Sequence, residues 1–139
     1  MAEPFSQRIA IVTDFLDSIG NLDFERVGQL LAEDAVMTLP FLEVLPPTEG
    51  RTAIVDQLGT TVPQMFERMD FTYDEWYDVR DSDTVIAEYH SECPQKGGSG
   101  VYRNRYISVF RFEDDKITLY KEYLNPTSLM AGPAPGGEA

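Results

Sequence analysis

Val101-Tyr102-Arg103-Asn104-Arg105-Tyr106-Ile107-Ser108-Val109-Phe110 alternates two kinds of side chain over its whole length. Successive strand side chains point to opposite faces, so Tyr102, Asn104, Tyr106, Ser108 and Phe110 share one face. Arg103 and Arg105, with Arg111 beyond, share the other. The same period of two extends outward and predicts strands at about 71–80, 84–93, 101–113 and 116–124. Their connectors are Asp81-Ser82-Asp83, the glycine-rich stretch from Pro94 to Gly100 and the acidic turn Glu113-Asp114-Asp115. Connections this short make an antiparallel meander.

Upstream of Asp70 the period is helical. Phe5, Ile9, Val12, Leu16 and Ile19 step by four, three, four and three, which draws one apolar stripe. Gly20 reads as a C-cap, and Asn21 or Asp23 opens a second helix carrying Phe24, Val27, Leu30 and Leu31. Ala35 to Phe41 reads as a short strand that enters a loop with Pro46 and Pro47. Thr52 is the expected cap of a third helix that buries Ile54, Val55 and Leu58. Pro63 is expected to break or kink it, with Met65, Phe66 and Met69 on a second piece. Three helices and one early strand before a meander define an α+β fold, with the helices on one side of a curved sheet. Residues 1–127 read as a single domain. Residues 128–139, where Gly132 to Ala139 holds two prolines and three glycines, read as a flexible tail.

The chain has 139 residues, the size of one domain. Its 24 acidic residues outnumber 11 basic ones, for a net charge of −13. Such a surface repels phosphate backbones and anionic headgroups, so neither nucleic acid nor membrane is an expected partner. One cysteine, Cys93, and one histidine, His90, exclude an internal disulfide and a Cys/His zinc set, and no metal site is expected. Their odd spacing along one strand also argues against a Cys–His catalytic pair. No apolar run approaches the ~18 residues of a membrane span. Met1-Ala2-Glu3-Pro4 has neither a basic start nor an apolar core, so a reduced, cytoplasmic protein is expected. No glycine-rich phosphate loop or Ser-His-Asp order is present.

Glu122 is the first candidate for chemistry. In Leu119-Tyr120-Lys121-Glu122-Tyr123-Leu124 it shares a face with Tyr120 and Leu124. A carboxyl among such neighbours is poorly hydrated, which raises its pKa toward the range of a proton shuttle. The alternative is a surface glutamate paired with Arg105 or Lys121. Glu88 and His90 lie two apart on one strand face, and a carboxylate beside an imidazole is a recurrent acid/base arrangement. The alternative there is a solvated acidic strip continuing to Glu92. Tyr102, Asn104 and Tyr106 combine aromatic bulk with hydroxyl and amide groups, as the wall of a small-molecule cavity does. Phe71, Tyr73 and Tyr77 are expected on one face of their strand and Trp76 on the other.

Several strings resemble a known group. Leu30-Leu31-Ala32-Glu33-Asp34-Ala35-Val36 and Gly50-Arg51-Thr52-Ala53-Ile54 are similar to the helix–strand junction and third-helix entry of the nuclear transport factor 2-like superfamily. That superfamily includes ketosteroid isomerases and SnoaL-like polyketide cyclases. The resemblance covers about residues 5–127. It implies a cone-shaped, barrel-like fold in which three N-terminal helices pack on a strongly curved, mostly antiparallel sheet. It also implies a homodimer formed through the sheet surface away from the helices. Tyr102 to Phe110 and Lys121-Glu122-Tyr123-Leu124-Asn125-Pro126 are similar to two strands of the phenazine-biosynthesis A/B proteins. That likeness implies Glu122 as the acid/base group and Tyr102 as its neighbour. Arg105 and Ser108 stand where that branch carries histidines, so phenazine synthesis itself is not implied. In Ala35-Val36-Met37-Thr38-Leu39-Pro40, Leu39 stands where ketosteroid isomerases carry their aspartate base. Leu39 is therefore expected to line the pocket rather than abstract a proton. Glu88-x-His90 likewise departs from the Arg-x-Asp pair of limonene-epoxide hydrolases.

These readings converge on a cofactor-free enzyme acting on a hydrophobic, carbonyl-bearing metabolite by isomerisation, cyclisation or dehydration. Glu122 is its expected acid/base, with His90 and Glu88 as further catalytic candidates. Tyr102, Asn104, Tyr106, Tyr120 and Leu39 are expected to bind substrate. The competing expectations are a non-catalytic binding protein and, behind it, an epoxide hydrolase.

Overall fold

Apolar spacing sets the first helix. The computed structural model describes residues 4–98 and 100–130, and its first element is α1, Pro4–Gly20, which buries Val12, Phe15, Leu16 and Ile19. It stops at Gly20 because the chain passes very close there: an added Cβ would lie 2.1 Å from the carbonyl oxygen of Met69. Met69 N donates to Gly20 O at 3.0 Å across the same contact. Gly20 is thus required by proximity, and the left-handed turn residue is Leu22, at φ 60. Asp23 caps α2, Phe24–Leu30, by accepting from Arg26 N at 3.2 Å.

Strand β1, Leu31–Thr38, begins directly at the end of α2 rather than at Ala35. A strap follows, then the short β2, Thr48–Glu49, and α3, Arg51–Met65. The N-cap of α3 is Gly50, at φ 99, and not Thr52. Pro63 does not break the helix. It sits in the final turn, where its missing N–H forfeits only one late bond. The expected second helical piece is absent: Phe66 is extended and bridges Gln95.

The meander comprises β3, Asp70–Asp78; β4, Thr84–Pro94; β5, Val101–Glu113; and β6, Lys116–Leu124. A 3₁₀ turn spans Lys96–Gly98, and a short helix α4 spans Pro126–Met130. The start of the expected tail is therefore helical, and the rest, 131–139, lies outside the described residues. The six strands form one curved, unclosed sheet in the order β2-β1-β6-β5-β4-β3. Pairing is antiparallel except between β1 and β6. Among the described residues no helix is long and apolar enough to cross a membrane.

One irregularity reverses a face. The β3–β4 register shifts between Tyr73 and Glu75, leaving Asp74 as the extra residue of a bulge. Trp76 thereby joins Phe71 and Tyr73 against the core, its ring 5.5 Å from that of Tyr73, while Tyr77 turns outward. This corrects the simple alternation expected for that strand.

The core lies between α1–α3 and the inner sheet face. Phe15 of α1 meets Phe110 and Tyr120 edge-on at 6.1 and 5.1 Å, and those two rings stack at 5.2 Å. Offset and edge contacts of this kind add to the burial of large rings. They also fix where the Tyr120 side chain ends.

Candidate active site

The site is built on the inner face of the sheet. Register partners share a face, so Glu122 of β6 lies beside Ser108 of β5 and Ala87 of β4. Tyr89 of β4 stands one step further along that face. It is 1% exposed and its ring stacks on Tyr106 at 4.9 Å. Tyr120 Oη and Tyr89 Oη both donate to Glu122 Oε1, at 2.7 and 2.9 Å. Because the single hydroxyl hydrogen of Tyr89 is committed to the carboxylate, Ser108 Oγ donates to Tyr89 Oη at 2.7 Å. Two phenols thus converge on Glu122 Oε1, and Ser108 backs one of them, a cluster of four side chains from three strands.

That carboxyl opens into a cavity of about 320 Å³ between α3, the strap and the sheet. The volume lies near the lower end of small-molecule pockets. The strap contributes leucines in steps of three: Leu42 N bonds Leu39 O and Leu45 N bonds Leu42 O, each at 2.9 Å. These tight turns bring Leu39, Leu42 and Leu45 to the cavity, and Leu58, Val62 and Met65 of α3 face them. Among the described residues Glu122 is the one acid of the lining, and no lysine, arginine or histidine belongs to it. Burial therefore drives the Glu122 pKa above its ordinary value, opposed only by the hydrogen bonds from Tyr120 and Tyr89. The same burial, with the glutamate charge close by, holds Tyr89 and Tyr120 well above the usual phenol range. Both remain neutral donors. Among the described residues nothing hydrogen-bonds Glu122 Oε2.

A second polar group lies on β5. Asn104 Oδ1 accepts from the backbone N–H of Arg105 at 2.7 Å and of Asn125 at 3.0 Å. Its Nδ2 donates to Asn125 O at 3.2 Å and to Tyr102 Oη. Tyr102, Tyr106, Tyr120 and Leu39 line the cavity, whereas Asn104 stands behind Tyr102. Tyr106 Oη pairs with the buried Ser91 Oγ at 2.7 Å.

Glu88 and His90 do not join this group. They lie on the even-numbered side of β4, opposite Tyr89, and face away from the helices. His90 Nδ1 pairs with Asp74 Oδ2 of the bulge at 2.8 Å, and Glu88 accepts from Tyr77 Oη at 3.1 Å. The trio Glu88, His90 and Glu122 therefore does not form one pocket. The member that sequence reading passed over is Tyr89. Val85, Ala87, Tyr89, Ser91 and Cys93 are small or apolar at alternate positions, a pattern that marks the buried face and would have placed Tyr89 inside.

Comparison with known proteins agrees with this architecture. Residues 12–120 match the SnoaL-like domain family, and the chain belongs to it. Its fold is that of the nuclear transport factor 2-like group. The matched span ends just short of Glu122, so the case for that acid is geometric. The chain is 30% identical to the uncharacterized protein YesE of Bacillus subtilis over 124 residues, 88% of this chain and 84% of that protein. A solved structure named "Putative Isomerase from Bacillus subtilis" superposes with a TM-score of 0.84 at 28% identity, covering 94% of each chain. An LEH-like epoxide hydrolase from M. tuberculosis gives 0.77 at 19% identity over 96% of this chain and 94% of its own, a likeness of fold.

Proposed function

We propose that this chain is a cofactor-independent enzyme that moves a proton next to the carbonyl of a small apolar compound, with Glu122 as the general acid/base. One observation carries the reading: a carboxyl with one uncommitted oxygen and, among the described residues, no cationic side chain beside it, in the wall of a mostly apolar cavity. Ionised Glu122 takes the α-proton on Oε2, and Tyr89 and Tyr120 steady the charge on Oε1. The Tyr102 hydroxyl donates to the enolate oxygen as it forms. Returning the proton to another carbon completes an isomerisation, and attack of the enolate on a second carbonyl, with the proton passing from Glu122 to the alkoxide so formed, completes a cyclisation. Epoxide hydrolysis would need a second acid, and Glu88, the candidate for that role, faces the other side of the sheet.

The chemistry can be tested before the natural substrate is known. Apolar ketones of graded size, incubated with the protein in D2O, should lose α-protons to deuterium as followed by ¹H NMR, and Glu122→Gln should abolish the exchange. Saturable ketone binding with no exchange above the buffer rate would instead make the chain a binding protein.

A further inference from the structure

We propose that Asn104 is a positioning residue that fixes which way the Tyr102 hydroxyl donates. This rests on the proton-transfer reading above and deepens it. A phenol has one hydrogen to give and accepts through the same oxygen, so its direction is set by its partner. Here the partner has no choice of orientation. Oδ1 of Asn104 is claimed by two backbone N–H groups, those of Arg105 and Asn125, and the Asn125 carbonyl claims an Nδ2 hydrogen. Flipping the amide would set NH2 against two donors and an oxygen against a carbonyl. Nδ2 must therefore face Tyr102 Oη, which accepts from it. The hydroxyl hydrogen of Tyr102 is left over, and the remaining direction open to it is the cavity its side chain lines.

Asn104 is 4% exposed and stands behind Tyr102, so it needs no ligand contact to act. Its effect is to keep a donor, rather than a lone pair, aimed at the space above Glu122. The site then presents a fixed donor and a proton acceptor side by side. A carbonyl with an acidic α-hydrogen matches that pair. A compound offering only hydroxyl hydrogens meets a hydrogen at Tyr102 instead of an acceptor.

The probe is p-nitrophenol, whose anion carries an oxygen charge like an enolate and whose ionisation is read by absorbance. Bound to the wild-type protein, it should ionise at lower pH than in Tyr102→Phe. Asn104→Asp, which offers Tyr102 an acceptor in place of a donor, should weaken phenolate binding by about 10- to 100-fold, the scale of a hydrogen bond to an anion. Asn104→Ala serves should the aspartate variant fail to fold, with circular dichroism as the check on both. In the Tyr102→Phe background either change should add no further loss, because Asn104 acts through that hydroxyl. Independent, additive losses would make Asn104 merely structural and overturn the proposal. Normal phenolate binding in folded Asn104 variants, alongside weak binding in Tyr102→Phe, would overturn it while leaving the donor role of Tyr102 intact. Equal binding in wild type and Tyr102→Phe would remove that donor role, and the positioning role with it.

Discussion

The two faces of the sheet carry similar residues in opposite circumstances. On the inner face, Glu122 receives two phenol hydrogens and faces apolar side chains. On the outer face, Glu88, Asp74 and His90 pair with neighbours at the edge of solvent. Position in the pleat, one residue either way, decides between them. A carboxylate on the outer face keeps its water and its partner. One on the inner face has given up water without gaining a cation, and that raises its pKa above the ordinary carboxylate value.

The largest expected effect tests that division directly. Glu122→Gln should reduce α-proton exchange by about 10²- to 10⁴-fold, whereas Glu88→Gln and His90→Asn should leave it within a few-fold of wild type. Comparable losses on both faces would erase the contrast.

Next in size are the two donors. Tyr89→Phe leaves the buried Ser108 hydroxyl without its partner and should cost about 1–3 kcal/mol in urea unfolding. Tyr120→Phe and Tyr89→Phe each remove a bond that favours the ionised carboxylate. The acid limb of the pH–rate profile should therefore move to higher pH in both. A shift to lower pH would mean that the phenols do not stabilise the charge.

The third prediction concerns stability. The folded pKa of Glu122 is raised above the ordinary 4.5. Below that value folded and unfolded chains both carry the proton. As pH rises the unfolded chain ionises first, so this residue's contribution to stability declines until the buried carboxyl ionises as well. Urea midpoints compared between about pH 4 and pH 8 should fall more for wild type than for Glu122→Gln. Equal slopes would place the carboxyl in water. Smallest is the outer pair: Asp74→Asn should change stability by at most about 1 kcal/mol, since both partners are about a third exposed.

The sequence carried the period of each strand well and its face poorly where a single residue is inserted. Tyr102, Asn104 and Tyr106 fell on the correct side because β5 pairs with β4 without interruption from Thr84 to Pro94. Trp76 was placed on the wrong side because the bulge at Asp74 is a matter of pairing, and no residue type there announces it. His90 attracted notice by its chemistry while its neighbour Tyr89 did not, since a tyrosine amid apolar residues looks like packing. Of the strap only its prolines and Leu39 were legible, and Leu39 to Phe41, expected as strand, lie beyond the end of β1 at Thr38. Its leucines face the cavity through three-residue turns, a spacing that matches neither the α-helical period nor that of a strand. Pro63 misled for a related reason: its cost depends on its distance from the helix end, which is fixed by the pairing of Phe66 with Gln95.

The strand order has a consequence for how the molecule comes into being. β6, the last strand along the chain, lies between β1 and β5 in the sheet. During synthesis the ribosome must deliver nearly every other element before that gap can be filled. Until then two long edges stand open to mispairing. A product cut short before Lys116 would lack both Glu122 and the seam that joins the two halves of the sheet, so an incomplete chain would be a ready substrate for proteases.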